Sequence, residues 1–272
     1  MAKRQVVLKT LLWLFSLPQI VASLLCEILA LKSFRVDLER CIVLVERYGT
    51  SVPNIFIEAL IVAEDHRSGI HPGIDLIAIS RVLWVRLRSG RTQGGSTIEQ
   101  QYVRVVTCRY ERTISRKMRE QLLALMLVRR IDKMKIASAY LAIAFYGSDH
   151  IGLNGLKAEF GEDLSKVSFH EALGMIAQLK YPRPQRPNNQ WRSKMQVRMN
   201  TLSCRIGGKA SVSLGEIPRA QPILSLKPRS AGLSTGLGRG QRAGPSQATE
   251  RVVHNCEAPG GRAGISEVRP LA

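Results

Sequence analysis

The sequence predicts a mainly α-helical domain, entered through an apolar N-terminal segment and followed by a glycine-rich basic tail. Three observations carry this reading. Apolar residues recur at helical spacing through residues 52 to 200, as expected of helices that each bury one face. No alternating strand pattern of useful length and no βαβ periodicity interrupts them. From about Arg205 the texture changes, with 11 of the 22 glycines falling in residues 205 to 272 beside Pro, Ser and Arg.

In chain order, residues 1–31 come first. Thr10 to Cys26 is apolar apart from Ser16, Pro18, Gln19 and Ser23. At about 1.5 Å per residue this run crosses a ~30 Å hydrocarbon core only with help from its flanks or from Ile28 to Leu31. Lys3, Arg4 and Lys9 precede it, so the positive-inside tendency leaves the N-terminus in the cytoplasm and the rest of the chain outside. No small-x-small cleavage pattern follows, which favours an uncleaved single-pass anchor over a removed signal peptide. Pro18 keeps a second reading open, a buried helix of a soluble domain.

Residues 32–204 form the expected body. Ile55, Phe56, Ala59, Leu60, Ile61 and Ala63 share a helical face, as do Ile74, Ile77, Ala78, Val82 and Val85. Met118, Leu122, Leu125 and Met126 make a third such set, and Ala137, Tyr140, Leu141 and Ala144 a fourth. Residues 205–272 bury too little apolar surface to offset their ordering entropy, so disorder is expected there. Such a tail either touches anionic lipid or polymer, or is an extension without function.

Lys plus Arg outnumber Asp plus Glu by 40 to 21, for a net charge of +19. Nucleic acid, an anionic membrane and a phosphate-bearing substrate all suit that balance. Nucleic acid is set aside: no recognised binding module is present, and the basic residues are spread along helices and tail. The five cysteines form no CxxC pair and adjoin no His cluster, so neither a metal site nor a disulfide framework is expected. Cys26 and Cys108 read as small buried hydrophobes.

Three constellations carry chemistry. In Ala63-Glu64-Asp65-His66-Arg67-Ser68-Gly69-Ile70-His71-Pro72-Gly73, two adjacent acids close a helical run and face different ways. One can therefore stand in a site while the other makes structural hydrogen bonds, and His71-Pro72-Gly73 forces a turn. In Gly94-Gly95-Ser96-Thr97-Ile98-Glu99-Gln100-Gln101, Ser96 and Glu99 have the spacing of a capping box. A helix start after two glycines offers free backbone N–H groups to a phosphate. In Arg116-Lys117-Met118-Arg119-Glu120, Glu120 shares a helix face with both cations, and the face continues into Leu123, Ala124 and Leu127. Glu120 is therefore expected to be partly buried, and a buried carboxylate is paired or functional.

The order and spacing of these pieces resemble the glycosyltransferase 51 family, found as monofunctional peptidoglycan glycosyltransferases and as the N-terminal domain of class A penicillin-binding proteins. The family's E-D-x-x-F-x-x-H-x-G aligns with Glu64, Asp65, His71 and Gly73. Its G-G-S-T-I-x-Q-Q-x-x-K aligns with Gly94, Gly95, Ser96, Thr97, Ile98, Gln100 and Gln101, with Arg104 in place of Lys. Its R-K-x-x-E aligns with Arg116, Lys117 and Glu120. Lys135 to Gly147 looks like the family's I-L-E-x-Y-L-N and Y-F-G region, and Phe160 to Pro187 like its closing segment. Ser68, Val128 and Ala142 depart from the family's Phe, Glu and Asn.

The resemblance implies a lysozyme-like, mainly helical fold with a membrane-facing jaw, sited at the bacterial inner membrane with its catalytic domain outside the cytoplasm. It implies polymerisation of lipid II onto a polyprenyl-pyrophosphate-linked glycan with inversion at the anomeric carbon. Glu64 is then the general base, and Arg104, Arg116 and Lys117, with the N–H groups near Gly95 and Ser96, meet the leaving pyrophosphate. Asp65, His71, Thr97, Gln100 and Gln101 complete the substrate site. Glu120 either orients the cationic cluster or binds a divalent ion, Mg or Mn, on the diphosphate. Lipid II, the membrane and other cell-wall synthesis proteins are the implied partners. No Ser has Lys three residues later and no K-T-G occurs in this sequence, so a monofunctional enzyme is expected. Ser68, Val128 and Ala142 keep a second function open, a non-catalytic protein that binds lipid II or glycan.

Overall fold

The computed structural model describes residues 2–90 and 94–210. At its centre lies α8 (Lys133–Ile143), in which every residue from Ile136 onward is buried. Its small side chains, Ala137, Ala139 and Ala142, let neighbouring helices approach at the close packing of a protein interior. Against it lie α3 (Lys32–Tyr48), α4 (Asn54–Glu64) and α6 (Ile98–Thr107). Helix α7 (Ile114–Val128) packs on α6 and α3 and buries the whole stretch from Glu120 to Leu127. On the far side α10 (Phe169–Ala177) covers α4, and α11 (Asn189–Ala210) leans on both. From α9 (Gly152–Phe160) Phe160 meets Phe56 edge to ring, 5.7 Å between centroids.

Buried polar groups tie the helices together. The Ser138 hydroxyl donates to the Tyr48 carbonyl at 2.8 Å and accepts from the Val52 N–H at 3.1 Å, which fixes the turn between α3 and α4 to α8. Tyr102 donates to the Cys41 carbonyl at 2.7 Å and joins α6 to α3. The mainly helical expectation holds, with one addition. A short antiparallel hairpin, β1 (Phe145–Gly147) with β2 (His150–Ile151), follows α8. Strands this short leave no alternation to read.

The N-terminal segment is a bent pair, α1 (Ala2–Phe15) and α2 (Leu17–Ile28), meeting at 49°. The bend has a cause in the sequence: Pro18 removes an N–H from the helical ladder, and the Ser16 hydroxyl bonds back to the Leu12 carbonyl at 2.7 Å. Among the described residues no single helix is long and apolar enough to cross a membrane, and this pair qualifies only jointly, by length and composition. Helix α2 docks along α7. Arg129 donates to Ser23 Oγ at 2.7 Å and to Glu27 Oε2 at 2.9 Å, and Arg130 reaches Glu27 Oε1 at 3.4 Å. Trp13, Leu14, Phe15, Leu24, Leu25 and Leu29 remain exposed, as do Leu83, Trp84 and Leu87 on α5 (Leu76–Ser89).

Helix α11 runs to Ala210, past the expected body boundary at residue 204. The expected disordered tail lies, from residue 211 on, outside the described residues. Cys108 departs from its expected place as a small buried hydrophobe: it caps α6 at φ 51° and is exposed.

Candidate active site

Glu64 is the last residue of α4, and Asp65 caps it. The two acids diverge, as their adjacency predicts. Asp65 is buried, with both carboxylate oxygens 3.0–3.1 Å from His71 Nε2 and Oδ2 accepting from the Ile98 N–H at 3.2 Å. Burial pushes its carboxyl up, but the His71 hydrogen bond, the Ile98 N–H and Lys133 outweigh that and hold it below its ordinary value. Glu64 stays partly open. Its Oε1 accepts from Arg198 Nη2 at 2.6 Å, and its Oε2 meets Gln101 Nε2 at 3.4 Å. Gln101 is itself fixed, since its Oε1 accepts from the Tyr140 hydroxyl at 2.9 Å.

The turn between these acids and α5 needs glycine at residue 73. Its φ is +115°, and a Cβ there would lie 3.2 Å from Val128 Cγ2 and 3.3 Å from the Ala124 carbonyl. The Gly73 carbonyl in turn accepts from Thr97 Oγ1 at 2.7 Å, which joins the first constellation to the second.

Thr97, not Ser96, caps α6: its hydroxyl accepts from the Gln100 N–H at 3.3 Å. The expected capping box is absent for a tertiary reason. Ser96 Oγ is taken by cations instead, accepting from Lys117 Nζ at 2.8 Å and from Arg104 Nη2 at 3.2 Å. Gly95 lies against α5, where a Cβ would come within 2.8 Å of Val82 Cγ2. Glu99 points into the interior and is 1% exposed.

Behind this turn sits the third constellation. Glu120 is 3% exposed and faces three cations. Arg104 grips both of its oxygens, Nε to Oε2 and Nη2 to Oε1, each at 3.1 Å. Arg116 donates to Oε2 and Lys117 to Oε1. Lys117 also donates to Gln100 Oε1 at 2.7 Å. Burial pulls the Lys117 ammonium below its ordinary value, and Glu120 pulls it part of the way back. Three cations against one carboxylate leave a net charge of +2 in a half-buried site, suited to a diphosphate. The same geometry does not suit a divalent ion on Glu120. Both oxygens are already engaged, and an ion there would have to displace donors while surrounded by positive charge.

Asp65, His71 and Glu99 form a second acidic group, with ligand atoms within 4.8 Å of one another. Hydrogen bonding argues against a cation there too. The Gly73 N–H donates to His71 Nδ1 at 3.1 Å, which makes Nδ1 the bare nitrogen and puts the ring proton on Nε2, towards Asp65. Metal on Nε2 would require a proton on Nδ1, facing both that N–H and the Lys133 ammonium 3.3 Å away. Lys133 supplies the positive charge instead. It donates to the Ser68 and His71 carbonyls and lies 3.3 Å from Glu99 Oε1, near enough for an ion pair though not aligned as a hydrogen bond.

The structure thus gathers every residue expected at the site. The first turn of α6 joins its halves, with Gln101 on Glu64 and Gln100 on Lys117. Two residues escaped the sequence reading. Arg198 comes from α11 to Glu64 and to the Ala63 carbonyl at 3.0 Å, and its Nε–H has no acceptor among the described residues. Lys133 precedes the Lys135 to Gly147 stretch that resembles the family, and nothing in its spacing marks it. The three departures fill packing positions: Ser68 is buried beside Lys133, Val128 abuts Gly73, and Ala142 lies in the core.

Comparison with known proteins identifies the family. The family described as Transglycosylase matches residues 44–205. Penicillin-binding protein 1A of Aquifex aeolicus is 38% identical over 138 residues, covering 50% of this chain and 19% of that protein. Penicillin-binding protein 1B of Vibrio cholerae is 35% identical over 136 residues, 48% of this chain and 18% of that protein. Penicillin-binding protein 1B of Haemophilus influenzae is 34% identical over 147 residues, 52% and 18%. The chain thus spans about a fifth of the length of these relatives. Because the family match takes in more than half of the chain and all three constellations, this lysozyme-like helical protein belongs to the transglycosylase family.

Proposed function

We propose that the chain is a peptidoglycan glycosyltransferase that polymerises lipid II into glycan strands. The observation that carries this is the single helix turn that sets an acid and a cationic cluster side by side: Gln101 on Glu64, Gln100 on Lys117. A glycosyl transfer from a pyrophosphate needs both. The acceptor's sugar 4-hydroxyl attacks the donor's anomeric carbon and forms the new C–O bond with inversion. Its proton passes to Glu64. The bond to the pyrophosphate breaks, and the electron pair leaves with the phosphate oxygen, where Arg104, Arg116 and Lys117 offset the charge. Glu120 holds those three cations in place, which supports orientation rather than metal binding as its task.

A lipid-linked substrate places the site at a membrane. The exposed apolar side chains of α1 and α2 support this, as does α5, where Leu83, Trp84 and Leu87 stand among Arg81, Arg86 and Arg88 in the manner of an interfacial helix. The proposed location is the outer side of the bacterial inner membrane. The activity proposed for this domain is glycosyl transfer. Detergent-solubilised protein with labelled lipid II tests the proposal. Polymer is the expected product. Binding of lipid II without any polymer would replace the proposal with a non-catalytic lipid II-binding role.

A further inference from the structure

Glu64 stands at an electrostatically awkward place. It ends α4, where the helix dipole is negative and the last carbonyls lack partners within the helix. A carboxylate there meets the Ala63 carbonyl acceptor to acceptor, and some donor has to come between them. Arg198 is that donor. From α11, Nη2 donates at once to Glu64 Oε1 at 2.6 Å and to the Ala63 carbonyl at 3.0 Å. Arg205, two turns along the same helix, reaches the same carbonyl at 3.4 Å. The helix behind them is anchored. Met195, Met199 and Leu202 are buried in the core, and Trp191 Nε1 donates to the Tyr181 carbonyl at 3.0 Å. The Arg198 side chain is 9% exposed, so solvent neither shields this contact nor lets the arm swing freely.

The two oxygens of Glu64 are consequently unequal. Oε1 is clamped by a charge-assisted hydrogen bond. Oε2 has a single long contact to Gln101. We propose that Arg198 is a positioning residue for Glu64, fixing Oε1 so that Oε2 is the oxygen that takes the acceptor's proton. This rests on the reading of Glu64 as the general base. It also gives α11 a part in the reaction, although α11 carries none of the three constellations.

Steady-state polymerisation of labelled lipid II tests it, with Arg198→Gln, Arg198→Lys, Glu64→Gln and the double variant Glu64→Gln/Arg198→Gln. Misplacement of a reacting group by about 1 Å costs about 10²-fold, so Arg198→Gln is expected to lower kcat by about 10- to 100-fold while KM changes little. Arg198→Lys, which restores one charge without the planar fork, recovers part of kcat. The double variant is no slower than Glu64→Gln, because no base is left to position. An unchanged kcat in Arg198→Gln overturns the proposal. So does a raised KM with kcat intact, or a further loss in the double variant. The base itself has a separate signature: wild-type turnover by Glu64→Gln removes that reading and the proposal with it. Melting temperatures read the pair without turnover. Non-additive shifts are expected among the two single variants and the double one, and additive shifts contradict the clamp.

Discussion

Replacing Glu120 by Gln keeps the shape of the side chain and removes one charge from the centre of the cationic cluster. In the wild type its two oxygens accept from Arg104 twice, from Arg116 and from Lys117. The amide keeps one acceptor oxygen and turns a donor towards the remaining cations, so at least one of those contacts becomes donor against donor. Charge-assisted hydrogen bonds are worth about 1.5–3 kcal/mol each, and deleting one partner of a buried pair costs about 3–5 kcal/mol. The Arg104 and Lys117 side chains keep 29% and 28% of their exposure, and solvent screening there brings the expected loss to about 2–4 kcal/mol. For a domain of this size that corresponds to a melting temperature lower by about 4–16 °C. The cluster goes from +2 to +3 but loses its geometry, so lipid II polymerisation should fall through both KM and kcat. Thermal melting in detergent and steady-state kinetics check the two arms. A Glu120→Gln protein that melts and polymerises like the wild type would refute the reasoning.

Gly95→Ala is expected to destabilise by about 1–3 kcal/mol through overpacking, because the new Cβ meets Val82 Cγ2 at 2.8 Å. Adding Val82→Ala should restore most of the melting temperature, and a Gly95→Ala protein as stable as wild type contradicts the contact. Asp65 is held below its ordinary value of 3.8 in the folded protein, so its contribution is fully present above that pH and is lost as pH falls through the folded value. Urea unfolding between pH 6 and pH 2 should therefore show a weaker acid dependence for Asp65→Asn; an identical slope would remove Asp65 as its source. Glu27→Lys turns the contacts with Arg129 and Arg130 into repulsion. Limited proteolysis should then cut faster near Ala30, where α2 hands over to α3, and an unchanged cutting pattern would show that apolar packing alone docks α2.

Much of the body was legible because its signals are local. The face of α4 follows from spacing, and the burial of Glu120 follows from the apolar residues that continue its face. Met118, read on the same face of α7 as Leu122, is exposed, α5 buries only Ala78, and α8 is buried all round from Ile136 onward. The divergence of Glu64 and Asp65 follows from their adjacency at a helix end. What the sequence concealed is decided by tertiary partners. Ser96 and Thr97 both carry a capping hydroxyl; only the nearby Lys117 and Arg104 on one side and the Gly73 carbonyl on the other settle which one caps α6. Arg198 lies 134 residues from Glu64 on a polar helix with no motif, so nothing local announces the pair. Glu99 has the spacing of a capping-box residue, yet it is buried near Lys133. The docking of α2 on α7 depends on Glu27, Arg129 and Arg130, charges that read as solvated when taken one at a time.

The central claim is that Glu64 takes the acceptor's proton in a glycosyl transfer. Glu64→Gln keeps the size of the side chain and an acceptor for Arg198, turns a donor towards Gln101 only at the long contact, and removes the base, whose contribution is about 10²- to 10⁴-fold. The direct measurement is lipid II binding and polymer formation by the same Glu64→Gln preparation, beside the wild type. The account expects undiminished binding with polymer formation lower by that factor. Polymerisation at the wild-type rate would contradict it.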